Sequence, residues 1–177
     1  MKKLFVIVVA LLVVPVMIFA SWKSTADYKE YLVLKEKGIA ADGEGDTTSA
    51  VANYKAAAAL AAKSATADIQ CWRLNDVAYT LISTFKKITN YQEKIDKLSA
   101  MEPSKEKIAY QKEIAEFFNL QTGLLDEAEK ALEEAKALNP KAPAEKIQSN
   151  ADFIVWVKGF IKDNTEEAAA PAESEAK

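Results

Sequence analysis

Few residues in this chain have the chemistry for catalysis, and their spacing supplies little more. Histidine is absent from all 177 positions, which removes the usual general base, the usual metal ligand and every nucleophile arrangement that relies on imidazole. Cys71 is the single cysteine, so it has no intrachain disulfide partner, and beside Trp72 it reads as a buried small hydrophobe. Glu113 and Glu116 stand one helical turn apart like a carboxylate pair, but Lys112 beside them marks a solvated face. Asp42, Glu44 and Asp46 alternate as at the start of a calcium-binding loop. The loop would need glycine and glutamate where Thr47 and Asn53 stand, so Asp46 or Thr47 reads instead as the cap of a following helix. The five glycines form no phosphate-cradling pattern with a lysine. No catalytic residue, metal ligand or cofactor site is expected, and the chain reads as a non-enzyme.

The elements that position these residues read as helices. In Gly123–Pro140, Leu125, Ala128, Leu132 and Ala135 recur at three- and four-residue steps, and acidic and basic residues fill the other side. Gly123 is expected to free a turn before this helix, and Asn139-Pro140 to stop it. Small side chains at Ala128 and Ala135 ask for a close neighbour, and Tyr110–Leu120 is the expected one. Ala50, Tyr54, Ala57 and Leu60 repeat the spacing of Ala128, Leu132, Ala135 and Leu138. Further helices are expected from Trp22 to Gly38, Ser49 to Ser64, Ala67 to Phe85 and Tyr91 to Met101. A last one opens at Pro143 and runs through Ile147, Ala151, Ile154, Val155, Phe160 and Ile161. Strand signals are lacking after the first 20 positions, so the fold class is all-α, with about seven helices.

The pattern from Gly123 to Pro140 resembles the tetratricopeptide repeat, a helix-turn-helix unit that stacks into a superhelix. Gly123 matches the family's turn residue, Ala128 and Ala135 its tight-packing alanines, Leu138 its late apolar contact and Pro140 its closing proline. The preceding helix keeps Ala115 and Phe118 but departs at Lys112 and Asn119, and the central unit has Tyr91 in place of an alanine. The resemblance implies antiparallel hairpins stacked into a short superhelix, about three of them, with a C-terminal capping helix. It also implies a concave groove for another protein, faced by Arg73, Asp76 and Thr80 and by Tyr110, Glu113 and Phe117. The family's clamp for a peptide carboxylate is not implied, because Asp76, Thr80, Glu113 and Phe117 replace its basic and amide residues.

The chain divides into three parts. Residues 1–20 open with Lys2-Lys3 and continue as a 16-residue apolar run from Leu4 to Phe19, which reads as an export signal. Pro15 and the small Ala20-Ser21 junction suit cleavage, whereas Trp22 and Lys23 suit a retained anchor. The protein is therefore expected outside the cytoplasm, in the periplasm or cell envelope. Residues 21–162 form the helical domain, and the Ala- and Glu-rich 163–177 a disordered tail. The net charge is −3 and no basic cluster stands out, which argues against nucleic acid. Phe153–Val157 is apolar almost all round and is expected to be heavily buried, either under the end of the stack or against a second chain. Two functions follow: a scaffold that binds another envelope protein in its groove, or a membrane-anchored structural subunit that assembles through its apolar C-terminal helix.

Overall fold

The computed structural model describes residues 22–64 and 67–165, and among these every regular element is an α-helix. The helices are α1 (Ala26–Glu44), α2 (Thr47–Ala61), α3 (Ala67–Ile88), α4 (Tyr91–Ala100), α5 (Lys105–Asn119), α6 (Thr122–Ala137) and α7 (Ala144–Thr165). The expected N-terminal segment and most of the expected tail lie outside the described residues. Among the described residues no helix is long and apolar enough to cross a membrane. Helix α7 runs past the expected end of the domain, to Thr165.

Polar residues set the helix starts. Thr25 accepts from the Tyr28 amide at 3.2 Å and Ser104 from the Lys107 amide at 3.1 Å, each satisfying a donor that the first turn leaves without a partner. Asp46 caps α2 by accepting from the Ser49 amide at 3.0 Å, and its hydrogen bonds with Ser49 hold its carboxyl below the usual range. This use of Asp46 agrees with the capping role expected from the sequence. Asp42 and Glu44 belong to α1 and not to a loop. Positive backbone φ at Gly45 (78°), Asn90 (49°) and Asn139 (50°) turns the chain between elements.

Two glycines have roles other than those expected. Gly38 does not end α1 but lies inside it, where a Cβ would stand 2.6 Å from Cε1 of Tyr54. Its missing side chain lets α1 and α2 close on the tyrosine ring. Gly123 lies in the first turn of α6 without positive φ. The chain between α5 and α6 is only Leu120 and Gln121, both at negative φ (−61° and −113°).

Helix α1 packs on α2, α2 on α3, α3 on α6, and α6 on α7, while α5 packs on α7. Helix α6 therefore finds its close neighbour in α3 and not, as the sequence suggested, in α5. Cys71 of α3 donates its thiol to the Ala135 carbonyl at 3.4 Å, whereas Leu81, farther along α3, shares a cavity with Leu124. The two helices thus run antiparallel. The alanine seam is real on both sides: Ala50, Ala57, Ala128 and Ala135 are all fully buried. One apolar core joins α2, α3, α5, α6 and α7 through Tyr54, Val77, Phe85, Ile114, Phe118, Leu132 and Ile154. A smaller cluster gathers Trp22, Tyr31, Ala57 and Ala61 where α1 begins.

Candidate functional groove

Because α2 and α6 both flank α3, they form the walls of a groove floored by α3. One half is a cavity of about 330 Å³ lined by Lys55, Ala58 and Ala59 of α2, Gln70 and Leu74 of α3, and Glu127, Lys130, Ala131 and Glu134 of α6. The other, of about 340 Å³, lies between Thr47, Thr48, Val51 and Ala52 of α2, Leu81 of α3 and Leu124 of α6. Lys55 and Glu127 line both halves and join across the groove at 2.6 Å. Both side chains of that pair are about half exposed, at 50% and 44%, so it contributes about 0–1 kcal/mol and opens readily. From Thr47 to Ala59 the wall extends ~18 Å at 1.5 Å per residue.

The groove exists because its α2 wall carries small residues. Ala52 and Ala59 stand seven positions apart on the exposed side of α2, with Ala58 buried beside them. The repeat of Ala50, Tyr54, Ala57 and Leu60 points to the packed side of α2 only, and the open channel lies on its other side. The available signal was the pair Ala52 and Ala59 on a helix whose opposite side already carried the buried Ala50, Tyr54 and Ala57.

The six residues expected to face a partner fall into two separate places. Arg73, Asp76 and Thr80 sit on the side of α3 that reaches Asp42 of α1. Arg73 pairs with Asp76 at 3.0 Å with only 12% of its side chain exposed, and Thr80, fully buried, donates to the Asp42 carboxylate at 3.0 Å. Burial pushes the Asp76 carboxyl up, an effect opposed by Arg73 and aided by Asp42. Burial, with Asp76 and Asp42 nearby, also raises the Tyr54 phenol to about 12, so it stays protonated. These groups form an internal polar seam between α1, α2 and α3.

Tyr110, Glu113 and Phe117 lie on α5 instead. The ammonium of Lys97 sits 4.4 Å from the centre of the Tyr110 ring and that of Lys94 5.1 Å from the Phe117 ring, while Glu113 is exposed. Glu116, its companion in the carboxylate pair, sits 3.8 Å from Lys112 with both side chains largely exposed. The Cys71 thiol is fully buried, and burial raises its pKa, which makes it a poor nucleophile.

Among the described residues the fold is all-helical, with an open channel walled on the α2 side by alanines. No family model, no curated protein and no solved structure matches the chain.

Proposed function

We propose that this chain is a non-enzymatic, exported scaffold that holds a segment of another cell-envelope protein in the groove between α2 and α6. The observation that carries this reading is the groove itself: a floor of Leu74 and Leu81 with Gln70 at one end, a small-residue wall on α2 and a polar rim of Lys55, Glu127, Lys130 and Glu134. Such a channel suits an amphipathic helix or an extended segment, whose apolar side chains enter while its polar side meets the rim. The apolar run from Leu4 to Phe19 supports export, and the lack of histidine supports binding over catalysis. A repeat-derived, tetratricopeptide-like architecture is supported by the equal spacing of Ala50 and Ala57 in α2 and Ala128 and Ala135 in α6, all four fully buried.

A second reading, a membrane-anchored subunit that assembles through α7, is favoured by Val155 and Trp156. Although their neighbours Ile154 and Val157 are fully buried, these two are 65% and 46% exposed. The heavy burial expected of Phe153–Val157 is thus met by Ile154 and Val157 only, because one side of α7 faces the core and the other faces outward.

Capture from cell envelopes with the tagged protein and its variants separates the two readings. Ala52→Trp and Ala59→Trp fill the groove from exposed wall positions, so they are expected to keep the wild-type melting temperature and lose about tenfold or more of the partner recovered. Full recovery with both variants, together with loss on Trp156→Ala, would overturn the groove reading in favour of α7.

A further inference from the structure

A second face, sharing no residue with the groove, is built from aromatic rings with lysines resting on them. Tyr91 of α4 meets Phe153 and Trp156 of α7 edge-on, at 5.3 and 6.0 Å between ring centres. Trp156 stacks on Phe160 at 5.6 Å and 17°. Lys86, at the end of α3, places its ammonium 4.1 Å from the Phe153 ring centre and 5.9 Å from that of Tyr91. One turn along α4 from Tyr91, Lys94 lies over Phe117, and Lys97 lies over Tyr110. Trp156 is 46% and Phe117 37% exposed.

Among the described residues, none of these three lysines is paired with a carboxylate. Glu93 and Asp96 are on the same helix, and Asp96 is engaged by Gln92 at 2.9 Å. The ring quadrupole attracts each ammonium to its ring face, which places the three charges beside the rings, where an incoming anion can meet them. The rings beside it offer the kind of rigid, amphipathic anchors that dominate protein interfaces. Tyr91, Phe153 and Phe160 are only partly exposed, which makes the face a shallow bed for a chain laid across it and not a set of side chains projecting into a lipid leaflet.

We infer that this face binds an acidic segment of another protein, with carboxylates meeting Lys86, Lys94 and Lys97 and an apolar residue or proline lying on Trp156 and Phe160. Three lysines, against the exposed carboxylate of Glu113 on α5, call for a chain that carries negative charge, and the exposed rings of Trp156 and Phe117 beside them call for apolar residues among those charges.

The test uses the full chain and three probes. These are a fluorescein-labelled peptide of four Glu-Leu-Pro repeats, the same peptide with lysine for every glutamate, and vesicles of phosphatidylglycerol and phosphatidylcholine. Anisotropy is expected to show binding of the acidic peptide alone, weakening as salt is added. Trp156→Ala is expected to reduce that affinity by about tenfold or more. The triple variant Lys86→Gln, Lys94→Gln, Lys97→Gln is expected to do the same and to flatten the salt dependence. Ala59→Trp should bind the peptide as wild type does, which keeps this face distinct from the groove. Circular dichroism confirms that each variant remains helical. No binding of the acidic peptide, equal binding of the basic one, preference for the vesicles, or indifference to Trp156→Ala would each overturn the inference.

Discussion

Gly38 permits a mutational experiment whose sign depends on a single ring. A Cβ at this position would stand 2.6, 2.7 and 3.1 Å from Cε1, Cδ1 and Cζ of Tyr54, where carbon atoms ordinarily rest about 3.5–4.0 Å apart. Tyr54 is 4% exposed and belongs to the main core, so its ring cannot swing into solvent. Gly38→Ala must therefore displace the ring or separate α1 from α2, an overpacking cost of about 1–3 kcal/mol. Alanine's better helix propensity returns ~0.8–1 kcal/mol. The expected net loss is roughly 0–2 kcal/mol, and for a chain of this size each kcal/mol lowers the melting temperature by about 2–4 °C. Gly159→Ala, inside α7 with open space where its Cβ would go, should stabilise by the propensity term alone. In a Tyr54→Ala background Gly38→Ala should also become stabilising, by ~0.8–1 kcal/mol. Urea unfolding followed by circular dichroism measures all four variants. If Gly38→Ala stabilises the wild-type chain as Gly159→Ala does, the close approach of the two helices is refuted.

The raised Asp76 carboxyl makes a pH prediction. A carboxyl whose pKa rises on folding adds stability below its unfolded pKa and withdraws it as pH climbs through the folded one. The stability of wild type relative to Asp76→Asn should accordingly rise on acidification from pH 7 towards pH 4, as the buried carboxyl takes up its proton; urea midpoints for the two proteins across that range decide it, and a relative stability that falls as the pH is lowered would contradict the burial cost. Ala128→Leu and Ala135→Leu, both at fully buried positions, should each destabilise by about 1–3 kcal/mol, whereas the exposed Ala137→Leu should not; three coincident thermal melts would place the seam elsewhere.

Much of this architecture was readable from residue order. The three- and four-residue apolar steps located the helices, Asp46 announced the start of α2, and the twice-used alanine spacing located seams that are fully buried. Partner choice was not readable. Periodicity shows which side of a helix is apolar but not which other helix covers it, and so α6 was assigned to α5 when it lies on α3. The resemblance likewise set Arg73, Asp76 and Thr80 facing a partner, although Arg73 and Asp76 pair with each other and Thr80 is engaged by Asp42 of α1. Gly38 has the composition of a helix end, and only the position of a ring on another helix reveals its use. The six residues chosen from family resemblance were separated by this packing, and the polar rim of the groove, Lys55, Glu127, Lys130 and Glu134, is spread over two helices whose proximity periodicity does not show.

The pairing of α3 with α6 also sets a schedule for the growing chain. Synthesis yields α3 with its face through Cys71, Ala78 and Phe85 uncovered, and the helix that receives the Cys71 thiol begins only at Thr122. At about 5–20 residues per second the intervening stretch from Ile88 takes roughly 2–7 s to appear. Throughout that interval α1–α3 can pair among themselves, yet a strip of core remains exposed to whatever else is nearby. The α4–α5 detour is therefore a delay as much as a connection. Shortening it would bring the closing helix out sooner, and a pause in translation within it would extend the time during which an unfinished chain can associate wrongly.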